Sequence, residues 1–503
     1  MKILLVEHPR EIPKENINDI ANAPLSSSLF TGYVAGVLQE ENEVQIIEGY
    51  LECLDYDYIY EEVKRFKPDV LGVHLFYQWN GGEKLVRFLG KVKEDKLTEY
   101  IYGYGYYSNF AYKEILSSCD EIDGIILGEP EKPFYNLIQK IKNGENTRNL
   151  DGLAYIDDEG EIITKVSKPI ENLDELPYPV RSPGSLSYGE VNIMGSRGCY
   201  GGCTFCYINP FIGERVHWRG RSPENIVGEI DEIIQNTGMS YFYFTDPNFF
   251  GPGKAGQERA RKLGNLLKSR KIKFGIEGRV NDIYEETIEI LVDAGLVDIL
   301  IGLESGRQES LNRLNKMTTV EQNENAIRIL RKYGVNPHIG FIMFEPDSSI
   351  EDIRTNFNFL MRNYLLNDLD TTANVLYHQQ IVLQGTTSYK QLLKEGRLKL
   401  SPTSNYEGTV EYESTVIAEF VDMMREITNT IFECLTPIWK DGTYKSPQMK
   451  ETYKKVNNLL VETFSTILKK IEADGYVKET FKENVVNSTK ERITFIFTTP
   501  VSC

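Results

Sequence analysis

Short apolar segments alternate with amphipathic helical segments over the first 145 residues of the chain. Each of five segments rich in Ile, Val, Leu and Tyr is followed by a helical pattern of apolar positions. Near-continuous apolar strands that alternate with helices are typical of a doubly wound parallel sheet, which is buried on both faces. The sequence therefore predicts an α/β domain over 1–145, with strands at 3–6, 44–49, 69–74, 100–105 and 123–129.

The turns that follow these strands are the predicted ligand-binding positions of the first domain. In open parallel sheets, ligands bind beyond the carboxyl ends of the strands, near the point where the strand order reverses. The turns of interest lie at residues 26–28, 74–77, 103–105 and 128–131.

A second alternation of strand and helix patterns begins at residue 191. Residues 146–190 combine a strand–turn–strand pattern with a proline-rich segment, which predicts a linker with one hairpin. Six strand patterns predict a full or partial β/α barrel over 191–400, with a site at the carboxyl ends of its strands. These strands are predicted at 191–196, 241–246, 273–278, 297–305, 338–344 and 374–380.

Residues 401–503 change to long helical patterns and end in a strand-like segment at 493–497. We expect this mainly helical region to cap the barrel and to select the substrate. Amphipathic helices carry no readable ligand chemistry, so the substrate itself does not follow from this region.

Composition and charge narrow the classes of function. The chain has 503 residues, of which 41% are hydrophobic and 26% charged, as in folded globular proteins of two to four domains. Its net charge of −18 argues against nucleic-acid and anionic membrane partners, because phosphate groups attract basic surfaces. A signal-peptide pattern and an apolar segment approaching ~20 residues are both absent from the sequence, so we expect a soluble cytoplasmic protein.

Three of the seven cysteines fall within eight residues, directly after the first predicted barrel strand. Cys199, Cys203 and Cys206 form a C-x3-C-x2-C motif, and the glycines around them allow three thiolates to converge on one centre. A four-iron cluster usually takes four cysteines, so three leave one iron open for a substrate or cofactor. A three-cysteine zinc site has overlapping spacings and is the alternative, although structural zinc normally needs a fourth Cys or His.

The motif and the segments around it resemble the radical S-adenosylmethionine (SAM) enzymes. Phe205 precedes the last cysteine, and FTDPNFFG, IEGRVNDI, IGLESGRQESLNRLNK and GFIMFEPDSSIEDI resemble successive segments of the barrel in that family. Upstream, KPDVLGVH, DGIILGEPEKPF, DGLAYIDDEG and LDELPYPVRSP are similar to the amino-terminal half of its cobalamin-binding subclass. The resemblance covers about residues 1–380 and implies a Rossmann-like cobalamin domain followed by a TIM-type barrel.

The resemblance also implies cofactors and a reaction. The three cysteines would hold a [4Fe-4S] cluster whose open iron binds SAM, and one electron would release a 5′-deoxyadenosyl radical that abstracts hydrogen from the substrate. In the cobalamin subclass, methylcobalamin commonly donates a methyl group to the substrate radical. The expected protein is a methyltransferase that acts on a carbon or phosphorus centre of a small molecule or peptide, with flavodoxin or ferredoxin as electron donor.

Site residues follow from the same resemblance. The implied SAM contacts are Phe205, Glu277, Arg279, Glu304 and Ser305. The implied cobalamin contacts are Ser27, Ser28, His74, Leu75, Phe76, Gly103, Gly105, Gly128 and Glu129. The sequence lacks a D-x-H-x-x-G segment, so His74 is expected to be a wall residue rather than an axial cobalt ligand. The candidate substrate contacts are His217, Trp218 and His378.

Two other functions stay open on the sequence alone. The same cofactors can serve a radical cyclisation or rearrangement without methyl transfer, and counting methyl groups in the product separates the two outcomes. A cobalamin or iron–sulfur sensor without turnover is the other alternative, and the complete barrel with its SAM segments argues against it.

Overall fold

The computed structural model describes residues 1–9, 29–75, 82–187, 189–213, 218–400, 407–441 and 446–499. In this part of the chain, no helix combines the length and the apolar character that a bilayer crossing requires.

The predicted α/β domain is confirmed as a parallel sheet flanked by helices. Its strands are β1 (Lys2–Glu7), β2 (Glu43–Glu48), β3 (Val70–His74), β4 (Tyr100–Tyr104) and β5 (Gly124–Ile126). Its described helices are α1 (Leu29–Leu38), α2 (Tyr56–Phe66), α3 (Gly82–Glu94), α4 (Tyr106–Ser118) and α5 (Glu131–Lys142). The strand order β2-β1-β3-β4-β5 reverses between β1 and β3, which makes their carboxyl ends the expected ligand edge. Residues 3–6 of β1 are at most 1% exposed, because helices cover both faces of the sheet.

The hairpin predicted within 146–190 extends this sheet instead of standing apart as a linker. It consists of β6 (Leu153–Ile156) and β7 (Ile162–Lys165). Strand β6 pairs antiparallel with β5, and β7 pairs antiparallel with β6, so the sheet has seven strands. After a 3-10 turn at Leu173–Glu175 and the short α6 (Pro183–Ser187), the chain enters the second domain.

Five parallel strands form a partial β/α barrel, as predicted. They are β8 (Val191–Ile193), β11 (Tyr241–Phe244), β12 (Lys273–Arg279), β13 (Leu296–Glu304) and β14 (His338–Phe341), hydrogen-bonded in that order. Between β8 and β11, the two-residue strands β9 (Ser196–Arg197) and β10 (Arg219–Gly220) pair antiparallel. This short ladder closes the base of the loop that carries the three cysteines.

The described barrel helices are α7 (Ile208–Ile212), α8 (Pro223–Thr237), α9 (Gly253–Leu267), α10 (Glu285–Ala294), α11 (Gln308–Arg313), α12 (Val320–Lys332), α13 (Ile350–Arg362) and α14 (Leu369–Tyr377). Four of these eight described helices, α8, α12, α13 and α14, begin at a side-chain cap. The Ser222 hydroxyl accepts a hydrogen bond from the Asn225 N–H at the start of α8, and a proline follows Ser222. Thr319 and Gln322 form a reciprocal capping box on α12.

The predicted sixth strand at 374–380 is wrong. Asp368 caps the start of α14, which extends to Tyr377 and buries Leu369, Ala373 and Leu376 on one side. Only Gln379 pairs with the barrel, through an isolated parallel bridge to Phe344. A short apolar run fits a buried helix as well as a strand, and the cap decides between them here.

The carboxyl-terminal region shares one hydrophobic core with the barrel. After β15 (Val382–Leu383), α15 (Thr387–Lys394), β16 (Leu398–Leu400) and β17 (Glu407–Val410), it consists of α16 (Thr415–Asp441), α17 (Pro447–Asp474) and α18 (Glu479–Thr498). The ring of Phe420 on α16 lies 4.8 Å from Phe464 of α17 and 5.5 Å from Phe344 of the barrel, between ring centroids. The predicted strand at 493–497 is wrong, because these residues belong to α18 and Ile493 packs into the same core.

We predict that Phe420→Ala lowers the free energy of unfolding by about 3–5 kcal/mol, since it leaves a cavity between barrel and helices. Phe420 is 0% exposed, whereas Phe495 on α18 is 67% exposed and provides the matched control. Thermal unfolding followed by circular dichroism should show a lower midpoint for Phe420→Ala and an unchanged one for Phe495→Ala. Equal midpoints for the two variants would contradict a shared core.

Candidate active site

The cysteine loop brings three thiols to the carboxyl end of β8. Cys199 is buried, and Cys203 and Cys206 are half-buried. The Gly201 N–H donates to Cys199 Sγ at 3.3 Å. Burial, together with the smaller effects of the Cys203 and Cys199 charges, raises the pKa of the Cys206 thiol to about 12, so the three thiols lie close enough to affect each other's ionisation. Thiols in such a place ionise readily only when a cation binds them.

The zinc alternative requires several ligands that converge on one ion. Among the described residues, no group of three or more His, Cys, Asp or Glu side chains is arranged to hold one metal ion. In an iron–sulfur cluster each thiolate binds a different iron, so its ligands need not converge on one atom.

The segment between α11 and α12 supports the cysteine loop from behind. The Thr204 N–H donates to Leu314 O at 3.0 Å, and Asn315 Nδ2 donates to Gly202 O at 2.7 Å. Asn315 and Met317 have left-handed backbones, with φ of 48° and 55°. The sequence analysis missed this support, because hydrogen bonds to the backbone carbonyls of distant residues leave no local pattern.

Arg279, at the end of β12, lies against the cysteine loop. Its Nη1 is 3.6 Å from Cys203 Sγ, and its Nη2 donates to Lys316 O. Its guanidinium also lies over the Tyr200 ring, 5.3 Å from the centroid. The predicted contact of Arg279 with SAM stays a prediction, whereas its contact with a cysteine was not foreseen.

The end of β13 presents a buried ion pair. Lys316 Nζ lies 2.7 Å from Glu304 Oε1, and Glu304 has a left-handed φ of 60°, a strained conformation for a residue with a side chain. The Ser305 hydroxyl donates to Asn356 Oδ1 at 2.7 Å and so holds the end of the strand. Glu304 thus pairs with Lys316, a residue that the sequence analysis missed, and the predicted contacts of Glu304 and Ser305 with SAM stay predictions.

Two carboxyl groups at the ends of β11 and β12 have raised pKa values, and of these Asp246 is fully buried whereas Glu277 is half-buried. Burial raises the pKa of Glu277 to about 7, and the Tyr243 hydroxyl donates to its Oε1 at 3.4 Å. Burial likewise raises the pKa of Asp246 to about 6. Asp246 accepts from the Gly195 N–H at 2.6 Å and from Ser196 Oγ at 2.9 Å, which fixes the strand that enters the cysteine loop.

Comparison with known proteins identifies the barrel. Residues 193–360 match the Radical SAM superfamily, and this range contains the three cysteines, Glu277, Arg279 and the Glu304–Ser305 pair. Residues 193–360 form a radical SAM domain. The resemblance predicted from the cysteine motif and the barrel segments is therefore confirmed.

Sequence relatives match this chain over about two thirds of its length or more. An uncharacterized methyltransferase of Pyrococcus horikoshii is 26% identical over 71% of this chain and 77% of its own. The 4′-phospho-dehydrooxetanocin synthase of Priestia megaterium is 28% identical over 69% of this chain, which spans 50% of that enzyme. An anaerobic magnesium-protoporphyrin IX monomethyl ester cyclase of Rubrivivax gelatinosus is 26% identical over 65% of this chain and 60% of its own.

Solved structures share the fold from the first sheet to the last helices. The cobalamin-dependent SAM radical enzyme OxsB, with aqua-cobalamin and SAM bound, superposes with a TM-score of 0.78 at 18% identity, over 99% of this chain and 79% of its own. The radical SAM methyltransferase TsrM of Kitasatospora setae, with cobalamin and a [4Fe-4S] cluster bound, superposes with a TM-score of 0.66 at 13% identity. The match covers 98% of this chain and 99% of the TsrM chain. The α/β sheet, radical SAM domain and helical region thus form an architecture known from both structures.

Buried ion pairs join the sheet domain to the radical SAM domain. The Glu129 carboxylate accepts from Arg219 Nη1 at 2.9 Å and Nη2 at 2.8 Å, and Arg197 Nη2 donates to Glu131 at 2.6 Å. All four side chains are at most 4% exposed. Burial opposes the charge of Glu129, but Arg197 and Arg219 hold its pKa below the ordinary range. Glu129 was predicted as a cobalamin contact, and here it ties the sheet domain to β9 and β10.

A cavity of about 690 Å³ opens between the sheet domain and the cysteine loop. Gly128 after β5, Ser167 after the hairpin, and both Cys203 and Cys206 line it. Its described lining includes one carboxylate, that of Glu129, one ammonium group, that of Lys390, and no histidine. The cavity therefore places the carboxyl edge of the first sheet opposite two of the three cysteines.

The remaining predicted cobalamin residues belong to the same sheet edge. His74 is 1% exposed and its Nδ1 lies 2.6 Å from Glu7 Oε2. Gly105 has φ of 114°, and a Cβ there would lie 2.7 Å from Leu75 O and from the His74 ring, so only glycine fits. A Cβ on Gly103 would meet Ile125 at 2.7 Å. Their contacts with cobalamin stay predictions, and Ser27, Ser28 and Phe76 lie outside the described residues.

The candidate substrate residues separate into different places. The Trp218 indole N–H donates to Asn248 O at 2.8 Å, and the ring packs so closely that a Cβ on Gly251 would lie 2.6 Å from it. His378 follows α14. Burial lowers the pKa of His378, and the nearby charge of Glu304 opposes this effect only in part. Phe205, which was predicted as a SAM contact, is half-buried in the cysteine loop, and that contact stays a prediction. Substrate contact stays a prediction for Trp218 and His378, and His217 lies outside the described residues.

We predict that Glu129→Gln loosens the joint between the two domains. Removing one partner of a buried ion pair costs about 3–5 kcal/mol, because it leaves the other charge buried without compensation. Hydrogen–deuterium exchange at 196–197 and 219–220 should accelerate, and the thermal midpoint should fall. Asp158→Asn breaks an exposed pair with Arg148 and provides the control, with no measurable change in either quantity. Unchanged exchange in Glu129→Gln would contradict the role assigned to the pair.

The raised pKa of Glu277 predicts a pH-dependent stability. The pKa of Glu277 is ordinarily 4.5 and is about 7 in the folded protein. At pH values between these two, the folded state binds a proton that the unfolded state lacks. This contribution to stability is therefore lost as the pH rises through that window. Glu277→Gln should raise the thermal midpoint at pH 8 and leave it nearly unchanged at pH 4.5. The exposed Glu286→Gln is the control, and an equal gain at both pH values would contradict the buried-acid account.

Proposed function

We propose that the chain is a cobalamin-dependent radical SAM methyltransferase. The observation that carries the proposal is the cavity in which the carboxyl edge of the first sheet faces Cys203 and Cys206. Such an arrangement brings a ligand of the sheet domain close to a cluster held by the cysteine loop. The shared fold with OxsB and TsrM and the methyltransferase among the relatives support the same conclusion.

The cysteine loop fits a [4Fe-4S] cluster. Its donors are three thiols, and the Gly201 N–H and the Arg279 guanidinium already donate to two of the sulfurs. Hydrogen bonds to ligand sulfurs are the usual surroundings of such clusters. Cys199, Cys203 and Cys206 would hold the cluster and leave one iron open.

The cavity fits the polar periphery of cobalamin. Asn209 Oδ1, at the cavity wall, is buried without a hydrogen-bond partner among the described residues, while its Nδ2 donates to Gly201 O at 2.6 Å. Such an acceptor suits an amide N–H of the corrin side chains. Gly128, with φ of 72°, leaves room beside it, since a Cβ there would meet nothing closer than 3.7 Å.

The upper barrel fits the charged end of SAM. The Lys316 ammonium suits its carboxylate, and the Glu304 and Glu277 carboxyl groups suit its amino and sulfonium groups. When bound, the cluster supplies the electron that cleaves SAM, and cobalamin carries the methyl group that is transferred. The chain's part is to orient these partners and to exclude water from the barrel.

A small molecule is the class of substrate that we propose, with a peptide as the other possibility in the same cavity. The reaction needs an external electron donor, for which we propose flavodoxin or ferredoxin. The cellular location that we propose is the cytoplasm. No nucleic acid is expected, because the net charge is −18.

A radical cyclisation or rearrangement with the same cofactors is the second candidate function. The synthase and the cyclase among the relatives favour it. The two candidate functions differ in their products. S-adenosylhomocysteine accumulates in the methyl transfer, because SAM methylates cobalamin there, and does not accumulate in a cyclisation or rearrangement.

Anaerobic reconstitution with iron, sulfide and hydroxocobalamin tests the proposal. After addition of dithionite and SAM, the wild type should retain corrinoid and produce 5′-deoxyadenosine and S-adenosylhomocysteine. Cys203→Ala should reduce 5′-deoxyadenosine at least 100-fold, because the cluster loses one ligand. Cys434→Ala, on α16, is the matched control and should retain full activity.

Three results would count against the assignment. Zinc at the cysteines without SAM cleavage would refute the radical reaction. Cleavage without S-adenosylhomocysteine would favour cyclisation or rearrangement. Bound corrinoid and cluster without any cleavage would favour a sensor.

A further inference from the structure

The guanidinium of Arg279 is held in place from several sides. Arg279 is 4% exposed, and each of its three nitrogens has a partner in the chain. Nε donates to Asn281 Oδ1 at 3.3 Å, Nη2 donates to Lys316 O, and Nη1 faces Cys203 Sγ at 3.6 Å. These contacts use three of the five N–H donors and involve all three nitrogens, so a bidentate SAM carboxylate would have to bind through the one remaining N–H of each Nη.

The cysteine loop is shaped to admit this guanidinium. A Cβ on Gly201 would lie 2.3 Å from Arg279 Nη1, so a glycine is needed for the approach. The Tyr200 ring supports the guanidinium on one face, and the Tyr200 hydroxyl is fixed by Asp282, with oxygen–oxygen distances of 2.6 and 2.7 Å. Burial opposes the charge of Arg279, but Cys203 and Cys199 keep its pKa above the ordinary range.

We infer that Arg279 is a positioning residue that sets the reduction potential of the cluster through Cys203, and that it does not serve as a SAM ligand. The inference rests on the proposed function, because it requires a cluster on the three cysteines. A cluster gains one negative charge when it accepts an electron. A buried cation and an N–H···S bond at a ligand sulfur stabilise that reduced state and raise the potential.

Potentiometric titration of the reconstituted protein, followed by electron paramagnetic resonance, tests this inference without SAM and without turnover. Arg279→Met removes the charge and the donors. We expect the equilibrium constant for one-electron reduction to fall about tenfold, which is a midpoint about 59 mV more negative. Arg279→Lys keeps the charge but loses the fork, so its midpoint should fall between those of Arg279→Met and the wild type. Arg261→Gln removes a cation on α9 and should leave the midpoint unchanged.

Iron content and SAM affinity, measured on the same samples, separate the outcomes. A wild-type midpoint in an iron-replete Arg279→Met protein overturns the inference. If that protein also binds SAM much more weakly, Arg279 is a SAM ligand instead. If Arg279→Met loses iron, the midpoint of Arg279→Lys decides, and a wild-type value there overturns the inference. A wild type that takes up zinc and no iron refutes the proposed function itself.

Discussion

The buried ion pairs between the sheet domain and the cysteine loop are the constraint on which the site depends. Burying four charged groups is costly unless each meets its partner with good geometry, so this interface is stable in one register only. Glu129 and Glu131 follow β5, and Arg197 and Arg219 stand at the two ends of the cysteine loop. The same four residues therefore dock the domain and close the loop.

The ion pairs between the two domains also determine which residues line the cavity. Because Arg197 stands two residues before Cys199, docking of the sheet domain also fixes where the first thiol lies. Gly128 precedes Glu129 directly and reaches the cavity wall opposite Cys203. The two proposed cofactor sites thus face one another across this electrostatic contact, and aromatic contacts of Phe30 and Tyr106 with Phe211 accompany it.

The sequence predicted what depends on local pattern. Apolar periodicity predicts the β–α units of the first sheet and the first five barrel strands. The C-x3-C-x2-C motif can be recognised in the sequence alone. The predictions failed at 374–380 and 493–497, where apolar runs became helices because caps and tertiary packing outweigh strand propensity. The hairpin's place in the first sheet was missed for a related reason, since strand pairing joins distant residues.

The sequence predicted where several charged residues of the site lie, but not which residues they pair with. Glu304 lies in the upper barrel as expected, but its partner Lys316 follows a separate helix and leaves no motif. The predicted cofactor contacts of Glu129 and Arg279 stay predictions, whereas their contacts with arginines and with a cysteine, respectively, were not foreseen. Such roles depend on long-range pairing, which composition and spacing do not encode.

The most direct measurement is anomalous diffraction from crystals of the reconstituted protein at the iron and cobalt absorption edges. The account predicts an iron peak between Cys199, Cys203 and Cys206 and a cobalt peak in the cavity between Gly128 and Cys203. A zinc peak at the cysteines without iron, or cobalt bound elsewhere on the chain, would contradict it.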